Sequence, residues 1–214
     1  MAKVTAEISM SLDGFVAGPN QTLEDPLGAG GERLHEWAVR TKTFRELHGQ
    51  EGGDTDSDDE IFAASVPAIG AIVMGRKMFS GGEGAWADDP NASGWWGDEP
   101  PFHKPVFVVT HHEREPYVVA DTTFTFVTDG VERAIELARE AAGELEVGIS
   151  GGASAIQQAL DAGLVDELRI HLVPLLLGGG VRLFDEADGR AQRLEQTSLQ
   201  ESPTGVVHLT FRTT

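Results

Sequence analysis

The chain has 214 residues, with 16 basic and 35 acidic side chains and a formal net charge of −19 at pH 7. Nucleic-acid binding needs a basic surface, so this balance speaks against such a partner. The chain has no cysteine, which excludes disulfides and thiolate metal sites, and no apolar run approaches the roughly 18 residues that cross a bilayer. We therefore expect one cytoplasmic domain over residues 1–214 that binds no nucleic acid, no membrane and no metal.

Short β-rich segments alternate with helical patterns along most of the chain. Strands are expected at Val4–Met10, Ala71–Met74, Val106–Thr110, Phe124–Val127, Val147–Ser150 and Leu168–Pro174. Because these runs are almost continuously apolar, they indicate central strands covered on both faces. Helices are expected at about Glu32–Leu47, Asp58–Ser65, Val131–Ala142 and Ala153–Ala162, and Asp129 can cap the third.

The C-terminal segments have a different pattern. Arg193–Gln200 and Gly205–Thr213 alternate polar and apolar residues, and Ser202-Pro203-Thr204-Gly205 between them has turn chemistry. These features predict an antiparallel hairpin. The fold class that follows is α/β, a three-layer αβα arrangement around a mixed sheet that includes this hairpin.

Two segments interrupt the alternation of strands and helices. Gly49–Asp59 is acidic and rich in glycine, but it lacks the EF-hand spacing and the terminal glutamate, so we expect a mobile loop and no calcium site. Gly81–Pro101 carries Trp86, Trp95 and Trp96 among glycines and acidic residues. That composition fits a lid over a pocket and a packed surface loop equally well.

A glycine pair, Gly151–Gly152, separates the strand at Val147–Ser150 from the helix that follows. The first N–H groups of a helix have no partners within it and carry about half a positive charge. Glycines there let phosphate oxygens approach the backbone, and Ser154 could add a hydroxyl donor. A tight strand-to-helix turn would also favour glycine, so both interpretations stay open. The GxGxxG and P-loop patterns are absent.

A second strand end repeats the pattern with added charge. In IVMGRKMF, Gly75 ends the strand and the cations Arg76 and Lys77 follow it. A guanidinium can hold a phosphate through two parallel hydrogen bonds of about 1.5–3 kcal/mol each, which locally offsets the negative net charge. The alternative is that both cations are ordinary surface residues on a short helix.

A third strand end carries Thr110, His111 and His112. Adjacent strand residues point to opposite faces, so the two histidines cannot easily share one metal ion. We prefer a phosphate or ribose contact to a metal, while plain loop histidines remain an equal alternative.

Three strand ends thus carry groups that suit phosphates, and ligands of open α/β sheets gather at the carboxyl ends of strands. A dinucleotide would use all three ends. Arg76 together with Thr110 and His111 could hold a 2′-phosphate, which favours NADP over NAD. The hypothesis requires Gly75 and Gly151 to lie close enough for one extended nucleotide to touch both.

Several longer motifs occur in order along the chain: ISMSLDGFVAG, IVMGRKMF, PVFVVT, VGISGGASAIQQAL and VDELRIHLVPLLLGGGVRLF. Together they resemble the dihydrofolate reductase-like fold, and more closely its branch with the C-terminal reductase domain of the bacterial riboflavin-biosynthesis deaminase–reductase. The resemblance covers nearly the whole chain and implies a reductase that binds NADPH and a small-molecule substrate. The zinc-dependent deaminase half needs cysteines that this chain lacks, so any riboflavin role would be reduction alone.

The resemblance also implies roles for individual residues. Those near the adenosine-side phosphates would be Gly75, Arg76 and Lys77, with Thr110 and His111 near the 2′-phosphate. Those holding the pyrophosphate would be Gly151, Gly152, Ala153 and Ser154. Ala17 and Ile149 would lie near the nicotinamide, and the segment containing Leu177, Gly178 and Gly179 would close one wall of the substrate pocket.

Candidate catalytic groups lie in the first loop and on the next predicted helix. Asp13 either orients a polar group of the substrate or caps the turn, and Phe15 covers the nicotinamide or the substrate. Folate reductases use an acidic residue on the helix after this loop. That helix carries Glu32, His35, Glu36 and Trp37, and Glu36 is the nearest match in type, although its spacing differs. A solvated helix face is the competing interpretation of Glu36.

The leading hypothesis is an NADPH-dependent reductase acting on a pterin, pyrimidine or riboflavin-pathway compound, or another small carbonyl substrate. The alternative is a nucleotide-binding module of the same fold without turnover. The LVPLLL strand and nearby aromatic residues could bury against a second copy, so a homodimer is expected.

Overall fold

Strands and helices alternate over the part of the computed structural model that is described, residues 1–184 and 192–214. The strands are β1 (Val4–Ser11), β2 (Phe15–Ala17), β3 (Ile69–Gly75), β4 (Val106–Val109), β5 (Tyr117–Val119), β6 (Thr122–Val127), β7 (Glu146–Ile149), β8 (Glu167–Val173), β9 (Val181–Arg182), β10 (Leu194–Glu201) and β11 (Val207–Thr213). The α-helices are α1 (Glu36–Val39), α2 (Lys42–Leu47), α3 (Ser57–Ala68), α4 (Arg76–Ser80), α5 (Gly130–Ala142) and α6 (Ala153–Asp161). Two 3₁₀ helices lie at Gly31–His35 and Trp86–Asp88. Within the described ranges, no helix is both long and apolar enough to cross a membrane.

Nine of these strands form one mixed sheet in the order β10-β11-β8-β1-β7-β3-β4-β6-β5. The six strands from β8 to β6 run parallel to one another, whereas β5, β10 and β11 pair antiparallel with their neighbours. Strands β2 and β9 form a separate antiparallel pair, which joins Phe15 to Arg182. The predicted α/β class with a mixed sheet and a C-terminal hairpin is confirmed.

Helices α5 and α6 cover one face of the sheet. Helix α5 places Val131, Ala134, Ile135, Ala138 and Ala142 in the core, a spacing of three and four residues that aligns side chains on one helical face. The opposite face carries two smaller apolar clusters. One surrounds Phe79 and Phe124 beneath the tryptophan segment, and the other surrounds Leu34 and Trp37. Helices on both faces of one sheet make the predicted three layers.

The helix predicted over Glu32–Leu47 is wrong as a single element. The chain forms the 3₁₀ helix, α1 and α2 in succession, and Thr41 between α1 and α2 is extended, with φ −66° and ψ 150°. The Thr41 hydroxyl accepts a hydrogen bond from Phe44 N at 3.2 Å and caps α2. Asp54 pairs with the backbone on both sides of this break, since Lys42 N donates to its carbonyl and its own N–H donates to Arg40 O.

The other predicted elements agree with the structure to within a few residues. The hairpin turns through Ser202–Gly205, with a hydrogen bond of 3.0 Å from Gly205 N to Ser202 O. Asp129 is the N-cap residue of α5, although its side chain makes no capping hydrogen bond. The short strands β2, β5 and β9 lie outside the predicted segments, because two or three residues carry too little periodicity to identify them.

Strand β1 is not apolar on both faces, contrary to the expectation for a central strand. Its residues alternate: Val4 and Ala6 enter the main core, while Thr5, Glu7 and Ser9 point to the opposite face. The polar side chains find partners there. Thr5 Oγ1 donates to Glu146 Oε2 at 2.9 Å, and Ser9 Oγ accepts from Trp37 Nε1 at 2.9 Å. This half of the sheet therefore has a buried polar layer.

Candidate functional site

The two glycine-containing strand ends meet, as the dinucleotide hypothesis requires. Strands β3 and β7 are adjacent, and Gly75 N donates a hydrogen bond of 2.9 Å to Gly151 O. One step earlier, Ser150 N donates to Val73 O at 3.0 Å. Thr110 follows Val109, the residue paired with Gly75 on β4. The three predicted phosphate-binding strand ends thus lie on neighbouring strands and at the same edge of the sheet.

Gly75 and Gly151 also mark the point where the chain connections of the sheet diverge. From β3 the chain proceeds through α4 to β4, which lies on the side away from β7. From β7 it proceeds through α6 to β8, on the other side of β1. Connections that leave adjacent parallel strands in opposite directions open a crevice at the carboxyl ends, where ligands of open α/β sheets bind.

Gly152 faces open space in this crevice. A Cβ added to Gly151 or Gly152 would meet no other atom within 4 Å. Gly151 has φ 109° and so needs glycine for its backbone, but Gly152 is extended, with φ −76° and ψ −168°. Neither crowding by neighbours nor a left-handed φ explains glycine at 152. No side chain caps α6, so the N–H groups of its first two residues, Ala153 and Ser154, have no capping side chain as a partner.

Arg76 occupies a different place from the one predicted. Its side chain is only 8% exposed, and its Nη2 donates to Asp89 Oδ2 at 2.5 Å. The guanidinium carbon lies 3.5 Å from the centre of the Trp86 ring. Burial raises the pKa of Asp89, but hydrogen bonds from Ser80 and Arg76 outweigh it and hold that pKa below its usual range. A direct phosphate contact by Arg76 would require Asp89 to release it.

The tryptophan segment is a packed cover on the sheet, which favours the second of the two predicted alternatives. Trp86 meets the Phe126 ring edge-on at 4.8 Å and donates from Nε1 to His112 O at 2.9 Å. Trp96 meets the Phe102 ring at 4.7 Å. Aromatic pairs of this geometry add about 0.5–1.5 kcal/mol each beyond their burial.

The remaining predicted phosphate contacts are distributed between surface and interior. Lys77 is exposed and forms an ion pair with Glu83. Thr110 is buried, and its Oγ1 accepts a hydrogen bond from His112 N at 3.2 Å, while His111 is exposed. Ser154, on the first turn of α6, is exposed and accepts from Gln158 Nε2 at 2.8 Å.

The Asp13 carboxylate holds the first loop in place through hydrogen bonds. Its Oδ1 accepts hydrogen bonds from Ser11 Oγ at 2.6 Å and from Leu177 N at 3.1 Å, and its Oδ2 accepts from Gly178 N at 2.8 Å. The Ser11 bond, aided by the two amides, lowers the pKa of Asp13. Both oxygens are occupied, so the structure supports the turn-capping interpretation over a direct role toward substrate.

The predicted substrate-pocket residues converge around this loop. Phe15 is buried beneath Arg182, whose guanidinium carbon lies 4.3 Å from the ring centre. Gly180 packs against the backbone of the first loop so closely that a Cβ there would collide with Ala17 O. The loop is also tied to the proposed cofactor helix, because Gln157 on α6 donates to Leu183 O at 2.6 Å and Leu183 N donates to Gly14 O.

The proposed nicotinamide neighbours, Ala17 and Ile149, are both buried. Ile149 ends β7 and pairs with Ala6 on β1 and Val73 on β3. Ala17 ends β2 and pairs with Val181 on β9. Ile149 therefore lies at the crevice edge of the sheet, while Ala17 lies in the adjoining loop structure.

Glu36 is exposed at the start of α1, in agreement with the solvated-face interpretation. His35, one residue earlier, is half-buried, and burial together with the nearby His171 charge lowers its pKa. Its 3₁₀ helix packs on the end of β2, since a Cβ on Gly31 would lie 3.0 Å from Gly18 N. His35 is therefore a candidate proton donor that the sequence analysis missed, because it considered only acidic residues for this role. The position of His35 next to Glu36 was the signal that could have identified it.

Four carboxylates of the acidic segment, those of Asp54, Asp56, Asp58 and Asp59, have partners within the protein. Asp54 pairs with Arg40 Nε at 2.5 Å, and Asp59 accepts from Thr43 N at 2.7 Å. Asp56 Oδ1 accepts from Asp58 N at 3.0 Å at the start of α3. Asp58 is fully buried against the C-terminal hairpin.

These features define an α/β protein with a crevice at the topological switch point of a mixed sheet, the place where ligands of open α/β sheets bind. Gly75, Gly151 and Gly152 lie at this crevice, and the loop of Asp13 is connected to it through Leu183 and α6. The sequence matches the family described as RibD C-terminal domain over residues 2–208, and the chain belongs to that family.

Several proteins of known sequence or structure are similar over the whole chain. A putative riboflavin biosynthesis protein from Shewanella sp. PV-4 has a TM-score of 0.62 and 24% identity, covering 100% of this chain and 99% of that one. A pyrimidine reductase-like protein from Corynebacterium diphtheriae has a TM-score of 0.57 and 14% identity, covering 100% and 92%. The uncharacterized protein YyaP of Bacillus subtilis is 22% identical, covering 98% of this chain and 94% of YyaP. The structural likenesses show a shared fold.

Proposed function

We propose that the protein is an NADPH-dependent reductase that transfers a hydride to a small heterocyclic or carbonyl substrate of the pterin, pyrimidine or riboflavin-pathway type. A 5-amino-6-(5-phosphoribosylamino)uracil reductase-like reaction is one form of this activity. The observation that carries the proposal is the Gly75–Gly151 hydrogen bond at the switch point, with open space in front of Gly152. Membership of the RibD C-terminal domain family supports it.

The residues present fit a dinucleotide. The uncapped amides at the start of α6, together with Gly151 and Gly152, suit the pyrophosphate, and a dinucleotide bound there would have Thr110, His111 and Lys77 on its adenosine side. Bound NADPH would supply the hydride. The net charge of −19 opposes an anionic ligand, but screening over about 8 Å at physiological salt leaves a local positive site effective.

Reduction of a carbonyl or imine also needs one proton, which a side chain beside the substrate can deliver. Asp13 has both oxygens engaged and Glu36 is exposed, so neither is the better donor. We assign this role to half-buried His35, whose 3₁₀ helix packs on the end of β2, the strand that begins with Phe15. A Cβ on the adjacent Gly30 would lie 3.5 Å from Leu177 in the proposed substrate wall.

The direct test compares thermal protection by NADPH and NADH, alone and after Gly152→Val. NADPH should raise the melting temperature more than NADH does, because ligand binding to the native state adds stability in proportion to ln(1 + [L]/Kd). Gly152→Val fills the open space, so the rise in melting temperature that NADPH causes, measured against each free protein, should be lost. Gly84→Val is the matched control, since a Cβ there also meets no atom and Gly84 lies in the tryptophan segment. Equal NADPH protection of wild type and Gly152→Val would contradict the site.

A nucleotide-binding module without turnover is the second candidate, favoured by the commitment of Asp13 to the turn and the exposure of Glu36. Incubation with NADPH labelled at C4 and a panel of dihydropterins and aminouracils distinguishes the two. Label in any acceptor would exclude the module. Protection by NADPH with no transfer to any acceptor would favour it.

We also propose that the protein forms a homodimer. Leu12 and Leu176 are 62% and 69% exposed, and Leu12 N donates to Leu175 O, so both lie at the tip of one loop pair. Exposed apolar side chains that lie together suit an interface. Light scattering at low concentration should give twice the chain mass, and Leu176→Ser should shift it toward the monomer.

A further inference from the structure

A buried chain of four titratable side chains crosses the polar face of the sheet. Asp58 of α3 meets His208 of β11, with Oδ1 and Nε2 2.8 Å apart. His208 Nδ1 lies 2.7 Å from His171 Nδ1 on β8, and His171 Nε2 lies 3.0 Å from Glu7 Oε1 on β1. Asp58, His171 and His208 are 0%, 3% and 6% exposed. This Asp58–His208–His171–Glu7 chain lies outside the crevice, and none of its four residues is assigned a contact with cofactor or substrate.

The Asp58–His208–His171–Glu7 chain needs three protons for its three hydrogen bonds. Carboxylates only accept, so each histidine must donate from Nε2 to its own carboxylate. A neutral imidazole carries one proton, which leaves both Nδ1 atoms with lone pairs facing each other at 2.7 Å. Two neutral imidazoles between two carboxylates therefore cannot make the central bond. One further proton is required between the rings.

The neighbouring charges decide where that proton resides. Burial lowers the pKa of His208, with the His171 charge adding to this, so His208 is the neutral ring whose Nδ1 accepts. Burial raises the pKa of Glu7, but the His171 hydrogen bond and the His171 and Arg169 charges outweigh it, so Glu7 is ionised. The charged and titratable groups around the two rings are Glu7 on β1, Arg169 on β8, Asp58 on α3 and His35 on the 3₁₀ helix.

We infer that the Asp58–His208–His171–Glu7 chain stores one proton between the two Nδ1 atoms, and that this proton clamps α3 to the sheet by linking it to side chains of β11, β8 and β1. The extra proton is formally on His171, which donates from both nitrogens, and the four groups together carry one net negative charge. Trp37 covers the pair, with its ring centre 4.4 Å from that of His171 and 5.0 Å from that of His208. The inference does not depend on reductase activity.

Other placements of the proton are less favourable. An imidazole has an ordinary pKa of about 6.5 and an aspartyl carboxyl one of about 3.9, so a shared proton prefers a ring. The Thr204 hydroxyl also donates to Asp58 Oδ2 at 2.9 Å, which favours the ionised carboxylate. The hydrogen-bonded chain of these four side chains links elements more than 140 residues apart in sequence, and its central bond depends on a single proton.

The test counts protons on the ring nitrogens by NMR of the full-length protein carrying ¹⁵N-labelled histidine and ¹³C-labelled carboxyl groups. At pH 7.5, three of the four ring nitrogens of His171 and His208 should be protonated, with both carboxyl groups ionised. Two protonated nitrogens would overturn the inference, whether the third proton is found on Asp58, on Glu7 or on neither.

Asp58→Asn makes the test sharper. An asparagine amide can donate to His208 Nε2 while its oxygen accepts from Thr204, so the whole chain can be satisfied by two neutral rings. The proton count should fall from three to two with the fold retained, and Asp54→Asn in the same acidic segment should leave it at three. If Asp58→Asn does not fold, Glu7→Gln provides the same exchange at the other end. A count that stays at three in a folded Asp58→Asn or Glu7→Gln protein would overturn the inference.

The clamp also has a pH dependence that the same variants reveal. Free histidines in the unfolded chain lose their proton near pH 6.5, whereas the folded pair needs its shared proton to keep the hydrogen bond between the two Nδ1 atoms. As pH rises until the native pair also releases it, amide exchange in β11 and α3 should accelerate relative to α5. Asp58→Asn should lack this acceleration. Equal acceleration in wild type and in Asp58→Asn would contradict a proton-dependent clamp.

Discussion

Arg76 follows the glycine of a strand end, where a phosphate ligand is expected, yet its guanidinium is paired with Asp89 and stacked on Trp86. Within the described ranges, Nε and Nη1 of Arg76 have no hydrogen-bond partner and are buried. A guanidinium face against an indole ring is stabilised by the ring electrons, which compensates part of the desolvation cost. At this position Arg76 anchors the tryptophan segment to α4.

Asp89→Ala should lower the free energy of unfolding by about 3–5 kcal/mol, because Arg76 would remain as a buried charge without its partner. Replacing both residues, as in Arg76→Met with Asp89→Leu, should cost less than the two single changes together. Urea denaturation of the wild type, Arg76→Met, Asp89→Leu and the double variant gives the coupling free energy between the two side chains. Additive losses would show that the pair contributes no interaction of its own.

Arg76→Ala also separates the structural role of Arg76 from the predicted cofactor role. With Asp89 holding the guanidinium, the ratio of NADPH to NADH protection should stay near the wild-type value even though the protein is less stable. A fall in that ratio would show that Asp89 gives way to the cofactor phosphate. The control is Arg133→Ala on α5, which removes an exposed guanidinium that pairs with Glu136 away from the proposed cofactor site.

At the scale of single elements, regular periodicity made α5, α6, the central strands and the hairpin predictable. The break at Thr41 was not, because it depends on Asp54 returning from the acidic segment to pair with backbone groups near Thr41. The ion pair between Arg76 and Asp89 was not predictable either. Asp89 lies in a segment without periodicity, and only tertiary packing brings it to Arg76.

The alternation of apolar and polar residues in strand β1 was overlooked when the strand was judged by its overall hydrophobicity. Its sequence VTAEISMS alternates strictly, which predicts one apolar and one polar face. The polar face is buried because Glu7 and Ser9 find partners on β8 and α1, elements remote in sequence. The glycines of the crevice could be predicted because strand-end glycines before a helix suit a phosphate. The His171–His208 pair beneath Trp37 could not, since the two residues meet only through the pairing of β8 with β11.

The 3₁₀ helix at Gly31–His35 carries its own prediction. His35→Gln keeps a polar side chain of similar size but cannot deliver a proton, so turnover of an aminouracil or dihydropterin acceptor should fall by about 10²–10⁴-fold. NADPH protection should be unchanged. Since burial lowers the pKa of His35, wild-type activity should rise toward acidic pH as its protonated fraction grows, and the variant should lack that rise. Glu36→Gln is the matched control, and a similar loss in both variants would argue against His35.

At the scale of the whole molecule, two effects of acidification oppose each other. The net charge of −19 produces self-repulsion, and protonating histidines makes that charge smaller, which stabilises the folded state. His35 and His208 act in the other direction, because burial lowers the pKa of both in the folded protein. At about 0.5 M salt the screening length falls to about 4 Å, so the repulsion between surface charges is largely removed and the buried histidines decide the outcome.

The free energy of unfolding at high salt should therefore decrease as pH falls from about 6.5, the ordinary histidine value, toward about 5.5. In that window the unfolded chain protonates the imidazoles of His35 and His208 while the native protein keeps both neutral, and together they outweigh the one proton that the native His171–His208 pair already holds. A further loss should follow below about pH 4 as Glu7 and Asp89, whose pKa values are lowered in the fold, are protonated. Urea titrations at matched salt would measure both steps. His35→Gln should reduce the first step, His111→Gln, at an exposed site, should leave it unchanged, and a first step of equal size in all three proteins would show that other groups control it.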